Sequence, residues 1–410
     1  MKFKVETEFQ ETEIGKIPKE WRIEKLGRVV RYVKGRKPNN LYDEKLSEKH
    51  LPYLTAEYMR GLDKPKWCNP DLEDNILRVS SDDIVMIWDG SYAGHVFTGF
   101  EGILASTMIK ITSLIDLDKK FLYYYLVFSF EKFRATTVGT GIPHVNKRIF
   151  NEFPIPLPPI REQKRISEIF SLIDEIIKST NESIVRLERL KKALMRELLT
   201  GRVRVNEENG KLVFHRETEF QETDIGKVPK DWRVKKLLEI VEVWDKYRIP
   251  VKETNRKPGP YPYCGANGII DYVDGYTHDG EFVLLAEDGG FFGPFEKSAY
   301  IMRGKFWANN HVHVLKPRKE FTDSEYLMYF LNYIDLTPYV TGTTRPKLNQ
   351  ASMKKIPITL PPIDEQKRIA KIFSLIDRAI ELHREEKAKL DHLKKGLMNL
   401  LLTGKIRVLE

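Results

Sequence analysis

A chain of 410 residues, 41% of them hydrophobic, is too long for one ordinary core and points to about two to three domains. Its 68 Lys and Arg outnumber 59 Asp and Glu for a net charge of +9, which favours a polyanionic partner and makes global disorder untenable. Two isolated cysteines, Cys68 and Cys264, exclude a disulfide framework or a cysteine-based zinc site. The opening "MKFKVETEFQ" lacks the apolar core of a leader, and the best apolar run, Phe121–Phe130, is too short to span a bilayer. These features predict a soluble cytoplasmic protein with no membrane partner.

The first predicted domain covers 1–156 and begins with an opener, Glu6–Leu26, in which Trp21 is read as a packing residue. "RYVKGRKPNN" follows, a Gly/Pro-broken basic loop offering Arg31, Lys34, Arg36, Lys37, Asn39 and Asn40. Such groups serve base edges and phosphates alike. "DDIVMIW" (Asp82–Trp88) and "TMIKIT" (Thr107–Thr112) have the β-branched content of strands, and the loop "DGSYAGH" between them adds Ser91 and Tyr92. "FLYYYL" (Phe121–Leu126) is predicted to be an aromatic helix packed on the sheet. "GTGIPHVN" (Gly139–Asn146) leads to Lys147 and Arg148, either phosphate contacts or part of a turn feeding the next helix.

From Leu157 to Val205 the pattern changes. Pro158 and Pro159 forbid a helix before them. After them Ile166, Phe170, Ile173, Ile177, Leu187 and Leu194 recur at helical spacing, and Gly201 offers a left-handed stop. This predicts a helix of about 39 residues, roughly 58 Å long. A polar linker, 206–216, joins it to a second domain over 217–359.

That second domain restarts the first. Glu217–Leu237 repeats Glu6–Leu26 with sixteen of twenty-one residues identical, Trp232 standing for Trp21. "DKYRIPVKETNRKPG" supplies the basic loop here: Lys246, Tyr247, Arg248, Lys252, Asn255, Arg256 and Lys257, with Asn267, Asn309 and Asn310 at later turns. "EFVLLA" and "HVHVLK" are strands, and His311 and His313 on the latter are ordinary strand residues with no third metal ligand in view. "EDGGFFGPF" is a turn, since neither a helix pattern nor Lys-Ser/Thr follows. "YLMYFL" matches the first aromatic helix, and "GTTRPKLN" matches "GTGIPHVN", placing Arg345 and Lys347 as the counterpart contacts. The last segment, 360–408, repeats the long helix, with Ile369, Phe373, Ile376, Ile380, Leu390 and Leu397 as its stripe and Gly404 as its stop.

The chain is therefore two copies of one unit of near 200 residues. Neither helix can bury its stripe alone, and the other copy carries the matching one. The expected fold is α+β: two β-rich recognition domains at opposite ends of a long antiparallel two-helix coiled coil, related by an internal pseudo-two-fold. Conserved blocks around divergent domains suit a target with two unlike halves.

The doubled "PLPPIREQKRI…IFSLID…LLTGRVRV" block, the "IGKIPKEW" opener and "YPYCGANGIIDYVDGY" (Tyr261–Tyr276) resemble the specificity subunit of type I restriction-modification enzymes, over essentially the whole chain. The resemblance implies a non-catalytic subunit that reads a bipartite, asymmetric site on double-stranded DNA. It also implies a hub for two adenine-methylating subunits and for ATP-driven restriction subunits, with S-adenosylmethionine, ATP and Mg on those partners and no cofactor or metal here. Consistent with this, the sequence lacks an N-P-P-[FY] methyltransferase motif and a G-x-x-x-x-G-K-[ST] loop. The alternative from another class is a scaffold whose two divergent domains grip proteins.

Overall fold

The computed structural model describes residues 2–139, 141, 143–342 and 346–409, and its contacts divide into two units, Met1–Thr180 with Glu386–Glu410 and Asn181–Glu385. Each unit is α+β and contains one opener, one β-rich domain and a stretch of two antiparallel helices. The helices are continuous, Ile160–Leu198 and Ile363–Leu401, and each contributes one part to either unit.

In the first unit the opener is a hairpin, Phe9–Thr12 with Gly15–Pro18, whose continuation Arg22–Lys25 pairs with Pro154–Leu157 just before the first long helix. Gln10 ties the hairpin down by donating to the carbonyls of Pro18, Lys19 and Trp21. The domain itself holds two four-stranded sheets. One runs Val96–Phe97, Ile84–Ile87, Met108–Ser113, Val30–Lys34, wholly antiparallel. The other runs Lys66–Cys68, Leu51–Leu54, Gly102–Leu104, Arg78–Val79. Strand Ile84–Ile87 is apolar throughout because both of its faces are covered. Ile84 and Met86 join the core under the aromatic helix Lys119–Phe128, whereas Val85 and Ile87 join the core between the sheets.

The second unit repeats the frame with one continuous six-stranded sheet. Its order is Val241–Val243, Val312–Pro317, His278–Ala286, Ala299–Ala308, Pro258–Gly265, Gly268–Val273. Within Val283–Ala286 the same division occurs, Leu284 facing one core and Val283 and Leu285 the other. The stretch 206–216 completes a hairpin, Val203–Glu208 with Lys211–Arg216, turned by Asn209 and Gly210. In the first unit the equivalent pairing is between Lys2–Val5 and Ile406–Leu409.

The stripe residues of the long helices are placed unit by unit. Ile166, Phe170 and Ile173 are buried in the first core, with Ile177 and Leu397 half-buried against it. Ile369 and Phe373 are buried in the second, flanked by half-buried Ile376 and Leu194. Ile380 is buried, whereas Leu187 and Leu390 keep intermediate exposure.

The residues shared between the copies explain themselves in contacts. Gln163 accepts from the backbone N–H of Asp118, ahead of the aromatic helix, and donates to the Pro158 carbonyl; Gln366 does the same for Asp323 and Pro361. Asp174 accepts from Tyr124 and pairs with Lys394 at 2.5 Å; Asp377 accepts from Tyr329 and pairs with Lys191 at 2.6 Å. Gly404 has φ +71°, and a Cβ there would lie 2.3 Å from Pro18 and 3.1 Å from Trp21; Gly201 meets Pro229 and Trp232 in the same way. The openers thus close on the helix ends, as expected for Trp21 and Trp232.

A single arginine locks each closure. Arg407, 5% exposed in its side chain, binds Glu162 at 2.8 Å, Glu6 at 2.8 Å and Glu20 at 3.0 Å. Arg204 binds Glu365, Glu217 and Asp231 with the same geometry in the second unit. Glu162 also accepts from the Trp21 indole. Removing the cation would leave Glu162 and Glu6 buried and unpaired, so Arg407→Ala is expected to cost about 3–5 kcal/mol in chemical denaturation, against near zero for the exposed Arg28→Ala.

The Glu6 carboxyl is held at about 2, below its ordinary 4.5, first by the N–H of Glu8, then by Arg407 and the N–H of Thr7 against the opposing effect of burial. A depressed carboxylate contributes fully above its unfolded pKa and loses that contribution as pH falls. Stability is therefore expected to decline between pH 4.5 and 2, and Glu6→Gln should flatten that acid limb in pH-dependent melting.

Candidate nucleic-acid interface

Two loops and a strand end of the first unit converge beside the Ile84–Ile87 strand. The loop Asp89–Gly94 leaves the strand's end and returns with Gly94 donating to the Ile87 carbonyl. Asp89 bridges through its backbone to His144, and Gly90 donates to the Pro143 carbonyl, which ties in the Gly-Thr loop. Arg31 and Lys34 lie in the strand Val30–Lys34 and not in a loop, because they pair with Thr112 and Ile109, and Lys34 at the strand's end reaches Asp89 at 2.7 Å. The Asp89–Gly94 loop, with Ser91 and Tyr92, walls a cavity of about 550 Å³ together with Arg60, Thr107 and His144. Tyr92 is 42% exposed and Arg60 lies over its ring at 3.3 Å.

Domain two builds the same corner. Asp288 bridges to Lys347 as Asp89 does to His144, and Leu348 donates to the Glu287 carbonyl as Val145 does to that of Trp88. "DGGFFG" (Asp288–Gly293) is thereby the structural counterpart of "DGSYAG" (Asp89–Gly94), with exposed Phe291 where Tyr92 stands. Reading these segments separately, as a contact loop and a mere turn, hides a shared Asp-Gly-x-aromatic-x-Gly pattern.

Behind the corner the two domains diverge in chemistry. In domain two Asp245 accepts from Val314 N–H at 2.8 Å, pairs with His313 Nδ1 at 2.7 Å and accepts from Gln350 at 3.1 Å. His313 Nε2 meets the Leu348 carbonyl at 2.7 Å, so both ring nitrogens face acceptors. Glu287 takes Arg248 at 2.5 Å and Lys347 at 2.9 Å. Burial alone would raise Asp245, but His313, the Val314 N–H and Arg248 hold its carboxyl below the ordinary value. The matching positions in domain one are Lys34, Trp88 and Ile109, by strand register. There the space is aromatic, with Trp88 against Tyr32 at 4.9 Å and Phe150 at 5.5 Å.

Asp245, Glu287 and His313 have the proximity of a metal-ligand set. Every one of them is already engaged by Arg248, Lys347, Gln350 or backbone, so a cation would have to displace existing charge pairs. His313 is thus the buried centre of an ion-pair network, a role that its place in an alternating strand does not announce.

The remaining candidates are dispersed. Arg31, Arg36 and Lys37 are exposed, and Asn39 and Asn40 donate their backbone N–H groups to Glu73. Lys147 and Arg148 are exposed at the start of helix Lys147–Glu152, capped by Asn146. Lys246 sits over the ring of Tyr247, which is 43% exposed. Arg256 is held by Asp271 at 3.1 Å and stacks on Tyr263, while Lys252, Asn255 and Lys257 are exposed. Asn267 donates to Gly289 O, Asn309 is buried and accepts from His311 N–H, and Asn310 is exposed. Arg345 lies outside the described residues. Arg60 escaped notice because "LTAEYMR" reads as an unremarkable short helix.

The frame and its doubled corner can be set beside known proteins. The model of the type I restriction modification DNA specificity domain matches residues 18–189 and again 229–392. The chain belongs to that family. It is 33% identical to the type I restriction enzyme MjaVIII specificity subunit of Methanocaldococcus jannaschii, over an alignment spanning all of this chain and 98% of the relative. A shorter stretch, 35% of the chain and 36% of the relative, is 44% identical to a specificity subunit of Haemophilus influenzae, S.HindORF215P, whose name carries the word putative. The fold matches the S subunit of a type I restriction-modification system from M. genitalium, with TM-score 0.62, 17% identity and coverage of 93% and 96%. A second match, TM-score 0.53 at 16% identity, covers 95% of this chain and 99% of a chain from a study of type I system assembly and conformational transition. No described helix is long and apolar enough to cross a membrane.

Because the specificity-family corner of domain two rests on the buried ion pairs, Asp245→Asn is expected to destabilise the second unit by about 3–5 kcal/mol. Proteolysis at native pH, read by fragment mapping, should show cleavage appearing within Asn181–Glu385 first.

Proposed function

We propose that this chain is the non-catalytic, sequence-reading subunit of a type I restriction-modification assembly, and that it recognises a split, asymmetric site on double-stranded DNA with one half read by each domain. The observation that carries this reading is the repeated corner: one frame, used twice, presenting an Asp-Gly-x-aromatic-x-Gly loop over unlike neighbours. A protein selected to read one symmetric site would keep the two corners alike. The net charge of +9 and the exposed Lys and Arg around the corners suit phosphate contact, which positions without specifying. Methylation subunits and restriction subunits would assemble on the shared openers and helices, bringing S-adenosylmethionine, ATP and Mg with them, in the cytoplasm where the DNA is.

Co-expression of this chain with the methylation subunit of its own system, followed by mapping of methylated adenines, tests the reading. The expected outcome is a motif of two unlike halves with a constant gap, and replacing residues 27–152 with those of another family member should change one half only. A single palindromic motif, or a stable complex without methylation, would refute it. Binding should also weaken steeply with salt, by about 10³-fold or more between 50 and 200 mM if six or more phosphates are contacted.

A further inference from the structure

Arg60 differs from the other half-buried arginines of the domains. Arg248 and Arg256 are each matched to a carboxylate, at 2.5 and 3.1 Å. The Arg60 side chain makes no ion pair or hydrogen bond among the described residues, and its close partner is the Tyr92 ring, with Cζ 3.3 Å from the centroid. At that separation the guanidinium must lie parallel to the ring, because an edge-on approach would drive a nitrogen into the ring carbons. The face is thus consumed by the stack, while the in-plane N–H groups are left for another acceptor.

Among the described residues the surroundings do not supply that acceptor. Two carboxylates line the same cavity: Asp89, taken by Lys34 at 2.7 Å, and Glu57, which is exposed to solvent and makes no ion pair with Arg60. Burial pushes the pKa of the neighbouring His95 below its ordinary value, with the charge of Arg60 acting in the same direction. Two hydroxyls, Ser91 and Thr107, and exposed His144 complete the polar lining. A stacked guanidinium with a free fork fits a planar pair of acceptors on one edge. In the major groove that is the O6 and N7 of guanine. Phosphate also accepts two bonds, but it tolerates a flexible point charge and does not require the fork to be held flat.

We propose that Arg60, held flat by Tyr92, is a specificity-determining residue that reads a guanine in the half-site facing the first domain. The inference rests on the split-site reading above. Phe291, at the equivalent place in the second domain, carries no cation over its ring among the described residues, so the second half-site need not hold a guanine at the matching position.

The experiment is adenine-methylation mapping with the full chain and its methylation subunit, comparing wild type with Arg60→Lys, Arg60→Ala, Tyr92→Phe and Tyr92→Ala. Arg60→Lys and Arg60→Ala are both expected to relax one guanine position of a single half-site, lowering preference for G there by about 10- to 100-fold. The other half-site should stay intact, which also reports a folded chain. Tyr92→Phe keeps the stack and should match wild type, whereas Tyr92→Ala should relax the same position. Full specificity in Arg60→Lys would overturn the proposal in favour of a phosphate contact, as would an unchanged motif in Arg60→Ala. Should Arg60→Ala fail to accumulate, Arg60→Lys decides. If wild type itself gives no split motif, the split-site reading falls and this inference with it; a split motif indifferent to Arg60 sinks only the latter.

Discussion

A buried guanidinium shared by three carboxylates holds each half of this molecule together. Arg407 joins the strand after one helix to the opener and to the first turn of the other helix, through Glu6, Glu20 and Glu162. Burying such charges is costly in itself, and only the completeness of the network makes it tolerable. Its worth lies in geometry: five N–H donors in a fixed fork accept only one arrangement of three chain segments. Arg204 imposes the same arrangement on its own unit.

With the closure fixed, the domains are free to differ. The first splits its strands into two four-stranded sheets, while the second keeps a single six-stranded one. Both nevertheless lead a doubly covered strand into the same glycine-rich corner. One corner is backed by Trp88, Tyr32 and Phe150, the other by Asp245, His313 and Glu287. An aromatic stack and an ion-pair network are alternative ways to fill the same space rigidly. Such a frame lets the loop surface change without disturbing the closure beneath it.

How much was legible in the residues follows from where their partners lie. The long helices, their glycine stops and the opener's attachment could be read because duplication displays them twice and because several of the identical residues make scaffold contacts. Gln163, Asp174 and Gly404 are examples. The loops resisted, since the fate of a polar side chain there is decided by a segment far along the chain. Arg248 looks like a free loop cation until Glu287 is brought beside it, and Lys34 until Asp89 is. Arg60 carries no local signal at all, being defined by an aromatic ring 32 positions away that only the fold brings over it.

The strand pairs at the two closures have an unequal consequence for how the chain reaches its native state. In the second unit, Val203–Glu208 meets Lys211–Arg216 across a tight turn, and everything else belongs to one continuous segment. In the first unit, Phe3 pairs with Val408, and the locking arginine is residue 407. The entropy of closing so long a loop favours late formation, and during synthesis Ile406–Leu409 leaves the ribosome after every segment it closes on. The second unit can therefore mature while the first still waits, its opener and helix start exposing Glu6 and Glu162 without their cation. For this fold the order of synthesis is an order of assembly, and of the two domains the one made earlier is finished later.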